Sequence, residues 1–91
     1  PKELGNLQKL RILNVFGNPI GELPEELKNL QKLEVLLLGR TDIRTVPNFL
    51  PELPALKTLA LDETKLMLTE DDIEILAKIP NLEILDITLL R

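Results

Sequence analysis

An α/β solenoid is the fold class predicted here, with a short parallel sheet on its concave face and 3₁₀ or short helices on its convex face. Three observations carry that expectation. Four segments, LQKLRILNVFGNPI, LQKLEVLLLGRTDI, LPALKTLALDETKL and IPNLEILDITLLR, superimpose on one another at successive steps of 23, 23 and 26 residues. The superposition brings Leu10, Leu33, Leu56 and Leu82 to one position, Leu13, Leu36, Leu59 and Leu85 to a second, and Val15, Leu38, Leu61 and Ile87 to a third. Hydrophobic residues make up 44% of the chain and aromatics only 2%, so the core these positions build is aliphatic. A self-similar period of this length marks units that each contribute one short strand and bury their apolar side against the next unit.

The N-terminal stretch Pro1-Lys2-Glu3-Leu4-Gly5-Asn6-Leu7 aligns with Pro24-Glu25-Glu26-Leu27-Lys28-Asn29-Leu30, which puts the first residue in the middle of a unit. The expectation is therefore a fragment of a longer array, or a piece covered by a partner, since an uncapped unit exposes the leucines a neighbour would bury. In the first strand, successive side chains face opposite sides. Leu13 and Val15 point into the stack, and Ile12, Asn14 and Phe16 point out. The same alternation sends Val35, Leu37 and Gly39 outward in the second unit, Thr58, Ala60 and Asp62 in the third, and Ile84, Asp86 and Thr88 in the fourth. An Asp at Leu36 or Leu59 would bury a charge in the stack and is expected to unfold the chain.

Each strand must be followed by a turn. Gly17-Asn18-Pro19-Ile20-Gly21 reverses the chain and is no phosphate cradle, because the strand-to-helix context and the Lys of a P-loop are absent. Leu23-Pro24 and Val46-Pro47 open the returns PEELKNL and PNFLPEL, where Pro disfavours a long helix and short 3₁₀ turns are expected. The third return differs. Its residues 69–79 carry a Thr69 cap with Asp72 three places on, apolar Ile73, Leu76 and Ala77 at helical spacing, and Pro80 as a stop. A helix is expected there, consistent with the three extra residues of that unit.

These segments resemble the leucine-rich repeat, L-x-x-L-x-L-x-x-N-x-L, and the 23-residue units with a Leu-Pro ending are similar to those of bacterial and plant intracellular-type arrays. The resemblance covers essentially all of residues 1–91, read as a leucine-rich repeat fragment of about four repeats. The first is truncated, and the third is 26 residues long with a helix near 69–79. It implies a curved solenoid that binds other proteins through its concave strands. Asn18 stands where the family's asparagine bonds neighbouring backbone in a ladder along the stack. Thr41 and Thr64 hold that place in the next two units, with shorter reach, and Leu90 in the last has no hydrogen-bonding group.

For function, the outward positions matter most. Ile12, Phe16, Val35 and Leu37 form an apolar cluster across the first two strands, joined by Asn14, with Arg11, Glu34 and Arg40 at its rim. Contiguous exposed apolar surface of this kind marks interaction sites, so this cluster is read as the docking surface for a protein partner. The plainer alternative is that β-branched and large side chains simply suit a sheet. A second function class is a structural, self-assembling element that forms a homo-oligomer by stacking through uncapped ends, where Leu4 or Leu7 would lie.

Other classes recede. A net charge of −4 without a basic stripe argues against nucleic acid, and no apolar run is long enough for a membrane span. With no His, Cys or Ser, neither a catalytic triad nor a thiolate nucleophile can be assembled, and the chain is not read as an enzyme. The acidic group Asp62, Glu63, Glu70, Asp71 and Asp72 lacks the spacing and glycine of a calcium loop, and part of it suits a helix N-terminus instead. No metal or cofactor is therefore expected.

Overall fold

The computed structural model describes residues 8–87, in which β1 (Ile12–Asn14), β2 (Val35–Leu37), β3 (Thr58–Ala60) and β4 (Ile84–Asp86) form one sheet in that order. All three pairings are parallel. Their registers match Ile12 to Val35, Thr58 and Ile84, Leu13 to Leu36, Leu59 and Leu85, and Asn14 to Leu37, Ala60 and Asp86. These are the positions that coincide when the segments are superimposed in sequence. Leu4, Leu7, Thr88 and Leu90 lie outside the described residues.

The register has a backbone cause as well as an apolar one. The carbonyl just before each strand accepts two N–H groups from the next unit: Arg11 O from Glu34 N (2.8 Å) and Val35 N (3.0 Å), Glu34 O from Lys57 N (2.9 Å) and Thr58 N (3.0 Å), and Lys57 O from Glu83 N (2.8 Å) and Ile84 N (2.9 Å). The ladder continues past the strands into the turns, where Gly17 N donates to Gly39 O (2.9 Å) and Arg40 N to Asp62 O (2.8 Å). Gly17, Arg40 and Glu63 occupy equivalent places and all have positive φ, at 78°, 52° and 54°. Only the first of them is a glycine. Arg40 and Glu63 therefore hold a backbone conformation that disfavours a Cβ by roughly 1–2 kcal/mol each.

Inside the stack, Leu36 is 1% exposed and Leu59 0%, each with a unit on either side, and Leu33, Leu38, Leu56 and Leu61 are buried with them. Each such leucine stabilises by roughly 1.5–3 kcal/mol relative to exposure. At the far end of the sheet the equivalent Leu85 is 43% exposed, because nothing described packs on the outer side of β4. The same residue type in the same local environment is thus buried only by its neighbour.

The returns are short. Pro24 (φ −63°) leads into a 3₁₀ helix at Glu25–Asn29 that turns Leu27 inward, and a second 3₁₀ helix at Leu50–Glu52 contains Pro51. The third return forms α1, Glu70–Ala77, after Thr69, whose side chain accepts from Asp72 N (3.2 Å) while the Asp72 carboxylate accepts from Thr69 N (3.0 Å). This reciprocal cap satisfies first-turn donors that the helix itself leaves open. The inward face of α1 differs from the apolar spacing of its sequence: Asp72 is 3% exposed and Ile73 56%, Ile75 and Leu76 are half-buried against the core, and Ala77 is exposed. The cause is tertiary. Asp72 Oδ1 accepts a 2.9 Å bond from Val46 N in the preceding unit, and that tie rotates the 72–75–76–79 side of the helix inward.

Within the turns, Asn18 donates from Nδ2 to Val15 O (2.9 Å) and Phe16 O (3.3 Å), so its bonds close its own turn rather than reach the next unit. Thr41 donates to Leu38 O (2.7 Å) and Thr64 to Leu61 O (3.2 Å), the same acceptor three residues back. The threonines replace the first of the two asparagine bonds. Thr64 Oγ1 also accepts from Leu66 N (3.3 Å), and both threonines are buried where Asn18 is exposed. Smaller side chains with one hydroxyl let the inner units close over the turn.

Candidate functional site

The outward side of the sheet gathers the predicted residues on one surface. Ile12 is 59% exposed and Phe16 47%, while Val35 beside Ile12 and Leu37 beside Asn14 are half-buried. Period-two alternation keeps this row out of the core that takes Leu13 and Leu36. Asn14 does not merely project. Its Oδ1 accepts from Phe16 N at 3.0 Å, which holds the chain as it leaves β1 and sets the base of the aromatic side chain.

Charged pairs border the apolar row on both sides. Before the strands, Arg11 Nε donates to Glu34 Oε2 at 3.0 Å, and that hydrogen bond holds the Glu34 carboxyl below the usual glutamate range, assisted by the charges of Arg11 and Lys57. After the strands, the Arg40 guanidinium lies over the Phe16 ring, 5.6 Å from its centroid, and its Nε donates to Glu63, which raises the Arg40 pKa further. Among the described residues, Arg40 and Glu63 are the two non-glycine positions with left-handed backbone, and their side chains meet across one unit spacing. Phe16 thereby stands against a cation clamped from its far side, a cation–π contact at an exposed site.

Glu63 joins Arg40 at this border, and the sequence signal for the pair is a separation of one repeat between opposite charges, as for Arg11 and Glu34 and for Asp42 and Lys65, whose ion pair is 3.2 Å. Gly39, counted outward, adds no surface of its own. The Asp62 side chain leans across it, with Cγ only 2.7 Å from where a Cβ on Gly39 would sit. On β4, Ile84 is as exposed as Ile12.

Elsewhere, a cleft of about 310 Å³ opens on the return side between the first two units, lined among others by Glu22, Glu25, Thr45 and Asn48. Glu25 is already paired with Lys28 (3.2 Å), and among the described residues no group of His, Cys, Asp and Glu side chains could hold a metal ion. Among the described residues no helix is long and apolar enough to cross a membrane. Of the acidic residues Asp62, Glu63, Glu70, Asp71 and Asp72, Glu63 is engaged with Arg40 and Asp72 with the helix cap.

A family model described as a leucine-rich repeat region matches residues 1–69. Among solved structures, the chain is similar to a leucine-rich repeat protein of Leptospira interrogans, with a TM-score of 0.75 and 30% sequence identity over 99% of this chain and 23% of that one. The chain thus spans under a quarter of the length of that protein. No curated protein matches it significantly.

Proposed function

The chain belongs to the leucine-rich repeat family, and we propose that it is a protein–protein interaction module that takes a protein partner on its concave strand face. Repeat proteins of this family commonly mediate protein interactions. The docking surface is Ile12, Asn14, Phe16, Val35 and Leu37, framed by Arg11, Glu34 and Arg40. One observation carries this reading: Ile12 and Phe16 stand 59% and 47% exposed on the outward side of the sheet, Ile12 in register with half-buried Val35, while the buried core is built without them. Covering such side chains recovers part of the roughly 1.5–3 kcal/mol that each gains on full burial. Aromatic and arginine side chains also dominate binding hot spots, and Phe16 with Arg40 supplies one of each.

The test is affinity capture with the immobilised chain against Phe16→Asp and Ile12→Asp. Loss of a specific partner with an unchanged thermal midpoint supports the reading, and parallel loss of folding and capture counts against it. We read this role as binding without catalysis, on the absence of His, Cys and Ser from all 91 residues.

A second reading is end-to-end assembly of a longer solenoid. It is favoured by Leu85, which is 43% exposed where Leu36 and Leu59 are buried. Light scattering across a concentration series decides it: a constant monomer removes it, and an oligomer dispersed by Leu85→Lys supports it.

A further inference from the structure

We propose that the partner taken on this face presents an apolar side chain and, about 10 Å away, a lysine or arginine, the apolar group seated on β1 and β2 and the cation on the turn edge of β3 and β4. The inference rests on the docking role just described and specifies its chemistry. It comes from the way charge is distributed along the stack.

Around the first two strands the outward and rim positions hold two cations and one anion: Arg11, Arg40 and Glu34. Around the last two they hold one cation, Lys57, and four anions, Asp62, Glu63, Glu83 and Asp86. The cations of the first half are engaged. Arg11 donates to Glu34, and Arg40 is held between the Phe16 ring and Glu63. With Arg11 paired to Glu34 and Arg40 to Glu63, the apolar half is close to neutral, and the other half, its Glu63 thereby matched, still carries in formal charge Asp62, Glu83 and Asp86 against Lys57.

Geometry makes that excess reachable. The Asp62 carboxylate lies flat over Gly39, which has no Cβ to hold it off, and so sits between the Phe16 side of the face and β4. Neighbouring strands are about 4.8 Å apart, so the middle of the acidic half lies roughly 10 Å from the middle of the apolar half. A partner cation placed there meets attraction along its approach, and an acidic partner meets repulsion of the kind that excludes wrong partners. Ile84, exposed on β4, offers the aliphatic stem of a Lys or Arg a surface to lie on while its charged end stays at the carboxylates.

The experiment selects a phage-displayed library of random dodecapeptides on the immobilised chain, with Phe16→Asp used for counter-selection. Enriched peptides are expected to pair an apolar residue with a Lys or Arg. Their affinity for Asp62→Lys should be about tenfold weaker, and for Asp62→Asn a few-fold weaker, with an unchanged thermal midpoint. Enriched peptides that depend on Phe16 but are neutral or acidic, or that bind Asp62→Lys as well as the parent, overturn this inference and leave the docking surface standing. No enrichment sensitive to Phe16→Asp removes the docking surface itself. Concentration-dependent dimerisation abolished by Phe16→Asp overturns it in favour of a second copy of the chain on that face.

Discussion

Replacing Asp72 by Ala tests how much one buried carboxylate contributes to joining adjacent units. Its side chain accepts from Val46 N at 2.9 Å, Thr69 N at 3.0 Å and Thr69 Oγ1 at 3.1 Å. Val46 is buried, so its N–H would lose its partner away from solvent, at a cost of about 1–3 kcal/mol. Loss of the capping arm adds roughly 0.5–1 kcal/mol. The total, on the order of 2–4 kcal/mol, is a large part of the 5–15 kcal/mol that holds a domain folded. Thermal unfolding followed by far-ultraviolet circular dichroism should show a midpoint lowered by about 10–25 °C. Thr69→Ala is the control, because it removes the hydroxyl of the cap but leaves the Val46 bond in place, and should cost only about 1 kcal/mol. Asp72→Asn should fall between the two, since it keeps one acceptor oxygen. If Asp72→Ala is no more costly than Thr69→Ala, the bond between units contributes nothing and the account of the orientation of α1 fails with it.

Three further outcomes follow from the same geometry. Leu59→Ala, at a fully buried rung between β2 and β4, should cost about 2–5 kcal/mol in urea unfolding, and a cost under 1 kcal/mol would mean that the inner stack is loosely packed. Glu63→Gly should raise the thermal midpoint by a few degrees, because the left-handed φ of 54° is relieved by roughly 1–2 kcal/mol while the ion pair lost is a solvent-exposed one; a fall in stability would contradict the strain. Glu34 should titrate below an ordinary glutamate in a carbon-detected NMR series, because Arg11 donates to it, and Arg11→Ala should return it upward. A carboxyl depressed in the folded state contributes stability above its unfolded pKa, and that contribution is lost as the pH falls through the folded value.

Several structural features could be read from residue types and spacing. Leu13, Leu36, Leu59 and Leu85 share one rung because in-register parallel stacking is the arrangement that buries equivalent leucines of equal-length units together. The helix start at Thr69 was equally legible, since a cap acts through bonds three residues long. The docking candidates Ile12, Phe16, Val35 and Leu37 followed from strand alternation alone. Glu63 did not, because its place at the rim depends on a left-handed backbone that the sequence signals with glycine only at Gly17. Nor did the burial of Asp72, whose acidic type and first-turn place suit an exposed helix N-terminus just as well.

Local chemistry and a repeating period were enough to determine the stack, its register and the residues that face away from it, because each depends on contacts between equivalent positions one unit apart. Tertiary structure alone decided that α1 turns Asp72 inward, that Asp62 lies over Gly39, and that Arg40 is clamped between Phe16 and Glu63. Those outcomes depend on a particular side chain of a neighbouring unit reaching across one strand spacing, and such a reach is set by distance and direction in the folded state rather than by any pattern along the chain.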